Sequence, residues 1–75
     1  MNIFRFIDSK YGNNLFDLEY IRDSDNELKC VDLREYSIIN NVVSEKLEVD
    51  IVQKIYISSI LLRLLKEEIN KNEDV

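Results

Sequence analysis

The sequence predicts an α+β fold: an antiparallel sheet of three strands, with a fourth left open, packed on one long C-terminal helix. Three observations predict it. Residues 15–22 alternate between apolar and polar side chains. Clusters of Gly, Asn, Asp and Ser punctuate the first half of the chain. Residues 51–71 contain no Gly or Pro and are rich in Ile and Leu.

Residues 2–8 are short, aromatic and β-branched, as strands are. Phe4 and Phe6 share one side of that strand; Ile3, Arg5 and Ile7 share the other. Gly12-Asn13-Asn14 is the first turn signal, because Gly and Asn tolerate positive φ. In residues 15–22, Phe16, Leu18 and Tyr20 fall on one face. Asp17 and Glu19 fall on the other, so the strand is expected to be half-buried with its acids in water. Asp23-Ser24-Asp25-Asn26 marks the second turn, and residues 15–34 read as a hairpin.

The strand after that turn alternates less cleanly. Leu28 and Cys30 face one way while Lys29, Val31 and Leu33 face the other. Residues 35–49 divide between two readings. Asn40-Asn41, between Ile38-Ile39 and Val42-Val43, suits a tight hairpin turn; an irregular lead into the helix is the alternative. Asp50 followed by Gln53 has the spacing of a capping box, in which side chains satisfy the free amides of a helix start. The helix is expected over about residues 50–71, the sheet over about 2–44, and a frayed tail over 72–75.

Seventy-five residues make a single small domain, 1–75, which buries only about 60% of its unfolded surface and needs help to be stable. One cysteine, Cys30, excludes an internal disulfide, and it reads as a small buried hydrophobe. Histidine is absent, which removes the commonest general base and metal ligand. Association with another protein is the remaining aid. No secretory signal and no apolar run of about 20 residues is legible, so a cytoplasmic location is expected, without a membrane span. The lack of Ala, Thr, Pro, Trp and His, with abundant Ile, Asn and Lys, follows codons poor in G and C. It suggests an AT-rich genome, such as that of a low-GC bacterium, a phage or a large DNA virus. A net charge of −5 disfavours direct nucleic-acid binding and anionic membranes, and favours basic partners.

The helix is apolar along two stripes. Ile51, Ile55, Ser58, Leu62, Leu65 and Ile69 stack into one, the expected sheet-facing side. Ile57, Ile60, Leu61 and Leu64 form a second, which one small sheet is not expected to cover; residues 35–49 folding over it within a single copy is the alternative. Those four residues are therefore the expected protein interface, through which a homodimer or another partner would bind. On this reading Leu61→Glu dissociates a dimer and leaves the domain folded.

The hairpin carries seven carboxylates against three cations over residues 17–35, a net −4. Asp17, Glu19, Asp23, Asp25 and Glu27 are the expected acidic docking face, suited to a basic groove and to salt-sensitive association. The run Asp23 to Glu27 has the alternating oxygens of a calcium loop, but Leu28 and Arg34 stand where Gly and Glu are needed. No serine has a histidine to activate it, and no Gly-rich phosphate loop exists. Catalytic, cofactor and metal sites are thus not expected. The function expected is non-enzymatic: an inhibitor of the immunity, antitoxin or counter-defence type, occupying a partner's surface. The alternative is an assembly subunit or homodimeric module associating through the apolar helix face.

Overall fold

A computed structural model describes residues 2–8 and 14–73. Within them run β1 (Asn2–Asp8), β2 (Asn14–Arg22), β3 (Leu28–Ile39), β4 (Val42–Glu45) and α1 (Ile51–Glu73). The strands pair in chain order, β1-β2-β3-β4, each antiparallel to the next. The fold is α+β, with four strands and one C-terminal helix.

Register follows from which side chains avoid water. Phe4 lies opposite Leu18 and Phe6 opposite Phe16 in the β1–β2 pair; Leu18 also faces Leu33 in β3. Directly paired residues share a face. These rows therefore gather Phe4, Phe6, Phe16, Leu18 and Leu33 on the side where Leu61 and Leu65 of α1 pack. The uneven alternation of β3 has a local cause. The pairing with β2 shifts between Glu19 and Tyr20, leaving Val31 as an extra residue in β3. Such a bulge changes the phase of a strand by one residue. Leu28 and Cys30 before it, and Leu33 after it, consequently all reach the core.

Residues 35–49 resolve into the hairpin reading. Asn40 and Asn41 have φ of 51° and 66°, the two positive values that a tight two-residue hairpin turn demands. Ile39 pairs with Val42 directly across that turn. The β2–β3 turn is held differently. The Asp23 carboxylate accepts hydrogen bonds from the Asp25 and Glu27 amides, 2.9 Å each, and Asn26 takes a φ of 64°. The expected turn at Gly12-Asn13 lies outside the described residues.

The helix opens where expected, with the Lys54 amide donating to the Asp50 carbonyl at 2.9 Å. It runs to Glu73, so the tail expected from residue 72 is helical there, and residues 74–75 lie outside the description. At about 1.5 Å per residue, 23 residues reach about 34 Å, most of the 39 Å long axis of the molecule. Ser58 donates its hydroxyl to the Lys54 carbonyl at 2.7 Å, which satisfies the group within its own helix.

The rotation of α1 corrects the sequence expectation. Leu61 is 2% exposed and Leu65 is 4% exposed, and these two residues point into the sheet. One belongs to each expected stripe. The sheet seats between the stripes, which become the two flanks of one broad buried face. Ile57, Leu62, Leu64 and Ile69 pack partly buried against the core, and Ile60 is half-buried. The expectation that Ile51 and Ile55 would lie on the sheet fails, as both are mostly exposed.

Candidate interaction surface

Because the sheet takes the middle of α1, the outer side of the first two turns is left without cover. Ile51, Val52, Ile55 and Tyr56 are 70%, 70%, 65% and 66% exposed, and Leu47, just before the helix, is 85% exposed. At about 100° per residue the four helical side chains span an arc of about 140°, on adjacent turns. Farther along the same outer side come Ser59, Arg63, Lys66 and Asn70, all exposed. The outward surface of α1 is thus apolar for two turns and polar, partly cationic, beyond them.

The expected interface residues sit elsewhere. Leu61 belongs to the domain's own core, while Ile57, Ile60 and Leu64 are half-buried beside it. The signal that could have located this uncovered arc was weak. Both stripes had to be weighed as flanks of a single face, and only then does the arc from Ile51 to Tyr56 remain uncovered.

The expected acidic docking face divides in two. Asp17 is 5% exposed, not solvated, in the middle of the sheet face opposite α1. The Arg5 guanidinium grips it with two bonds, Nε to Oδ1 at 2.8 Å and Nη2 to Oδ2 at 2.9 Å. Glu19, also buried, lies 3.8 Å from Arg34. In the uncovered half of a sheet, long arginine side chains lie over the central strand and close it from water. Asp23 is spent on the turn amides, with Lys29 at 3.9 Å. Asp25 and Glu27 are exposed at the tip of that hairpin. The five acids therefore do not form one docking face.

Two further ion pairs tie the segment after β4 and the helix to β3. Lys46 Nζ meets Glu35 Oε1 at 3.0 Å and also donates to Asn14 Oδ1 at 3.2 Å. Lys54 Nζ meets Asp32 Oδ1 at 3.2 Å. Burial works against the charged form of Asp32, but the hydrogen bond from Lys54, a backbone amide and nearby cations outweigh it. The net shift of its pKa is downward. Asp17 is held below the usual carboxylate range chiefly by its hydrogen bond from Arg5. A carboxylate so held is a poor proton donor or acceptor near neutral pH. These acids suit structure better than acid–base chemistry.

The shift of Asp17 has a pH consequence. Its folded pKa lies below the unfolded value of about 3.9, so its pairing stabilises the fold above that pH. The contribution is lost as pH falls through the folded pKa. Asp17→Asn should therefore be less stable than the parent at pH 7, and the difference should shrink below about pH 4. Urea unfolding across that range measures it; an unchanged difference at pH 7 and pH 3 would show the Arg5 pair to be energetically idle.

Among the described residues, two of the depressions are better formed than most. The larger, ≈ 350 Å³, is open to solvent between the β2–β3 turn and the end of α1, lined by Arg22, Glu27, Leu28, Lys66 and Ile69 among others. Among the described residues no group of three or more Asp, Glu or Cys side chains is arranged to hold a metal ion. No helix among them is long and apolar enough to cross a membrane. No protein-family model, curated protein or solved structure matches the chain.

Proposed function

We propose that this protein is a non-enzymatic protein-binding module, of the assembly or homodimeric kind, that docks through the first two turns of α1. One observation carries the reading: Ile51, Val52, Ile55 and Tyr56 stand together, each at least 65% exposed. Fully burying one such side chain is worth roughly 1.5–3 kcal/mol, so four of them can supply a specific association. Scattered exposed hydrophobes need no explanation, but a contiguous apolar surface on a small domain marks a place of contact. The inhibitor reading through a charged hairpin has less support, since Asp17 and Glu19 are already held by Arg5 and Arg34.

The test is a triple variant, Val52→Ser, Ile55→Ser and Tyr56→Ser, compared with the parent at high dilution. Unfolding free energy should change by no more than about 0.5 kcal/mol per site, as at other exposed positions. Binding of a hydrophobic fluorescent probe should be lost. A loss of several kcal/mol in the dilute variant would make these residues part of the core and end the proposal.

A further inference from the structure

We infer that the occupant of this surface is a second copy of the chain, its helix antiparallel to the first about a two-fold axis between Ile55 and Tyr56. The inference rests on the docking surface proposed above and adds its partner and its geometry.

Area is the first argument. Ile51, Val52, Ile55 and Tyr56 offer on the order of 500 Å² of exposed surface per copy, at about 150–250 Å² for a large side chain in full exposure. A standard interface takes about 800 Å² from each partner. The apolar surface thus supplies most of a self-complementary patch, leaving a polar rim to complete it.

Charge is the second argument, and it chooses the direction. Glu48 and Asp50 are exposed just ahead of the apolar turns; Arg63 and Lys66 are exposed just beyond them. With the axis between residues 55 and 56, antiparallel pairing sets Ile55 against Tyr56 and Val52 against Ser59. It also carries Arg63 of each copy toward the helix start of the other, where the acidic lead-in of Glu48 and Asp50 lies. The small Ser59 lets the two helices approach at the usual 8–10 Å or so. Two-fold symmetry makes each such contact twice. A parallel pair would instead stack Arg63 on Arg63 and Lys66 on Lys66, and like charges so placed repel.

Sedimentation equilibrium of the full chain over a rising concentration series tests this, with the thermal melt of each variant as a check on folding. The parent should approach twice its 8.9 kDa mass. Arg63→Glu alone, and Glu48→Arg alone, should each weaken self-association roughly tenfold at low salt. Combining them should restore it, because the pair is reconstituted with signs exchanged. A single-copy mass at every concentration overturns the self-association while leaving the docking surface to the triple-serine test. A dimer that both single variants weaken and the double variant does not recover overturns the antiparallel arrangement.

Discussion

Leu61→Glu should abolish folding. Leu61 is 2% exposed and packs among Phe16, Leu18, Leu33 and Leu65, on the only side of the sheet that α1 covers. An ionised carboxylate there has no cation to meet, and an unpaired buried charge costs several kcal/mol even after relaxation. A 75-residue domain has about 4–11 kcal/mol of stability in total, at the usual value per residue. Lost apolar burial adds to the charge penalty. Circular dichroism should show the variant unfolded, or folded only at a pH low enough to protonate the new carboxyl. This is the reverse of what the sequence stripes imply, where Leu61 faces a partner and its replacement leaves the domain intact. A cooperative melt near the parent's would return Leu61 to the surface.

Leu18→Ala should cost about 2–5 kcal/mol, the range for truncating a buried leucine. Leu18 sits at the centre of one cross-strand row, with Phe4 on one side and Leu33 on the other, and is fully buried. The β-sheet frame around it resists collapse, so much of the removed volume should persist as a cavity. Leu15→Ala is the instructive comparison. Leu15 is also buried, but its register partners are Ile7 and Tyr36, on the face that no helix covers. There the neighbours can close over a smaller side chain, and water can fill what they leave. Leu15→Ala should cost less than Leu18→Ala, and urea denaturation of the two measures the difference. Equal losses would show that the two sheet faces are packed alike.

Three strands were legible because their physics is local: the 2-residue alternation of β2 and the turn chemistry of Asp23 need only neighbouring residues. The fourth stayed open, because Asn40-Asn41 suits a tight turn but the short run Val42-Val43 does not by itself say that it pairs back on β3. The phase of β3 was not legible, since a bulge at Val31 depends on pairing with β2, a partner the local pattern does not reveal. The uncovered apolar arc of α1 was half legible. Too much apolar surface on α1 for one narrow contact was evident, but its location turned on where the sheet seats. The width of a helix face cannot be read from a wheel alone: Leu61 and Leu65 sit about 40° apart and bridge two apparent stripes. The acids misled for a related reason. Alternation places Asp17 and Glu19 opposite Phe16 and Leu18 correctly, yet cannot show that Arg5 and Arg34 lie over them across neighbouring strands.

Whether the sheet seats between the stripes, leaving the opening turns of α1 bare, comes down to thiol accessibility at two positions. Ile55→Cys and Leu61→Cys, each in a Cys30→Ser background, would be labelled with a small thiol reagent at a dilution where the chain sediments as one copy. The thiol at position 55 should react nearly as fast as in an unfolded peptide, and that at position 61 only through global unfolding. Protection at 55 with rapid reaction at 61 would contradict the orientation of the helix and, with it, the location of the docking surface.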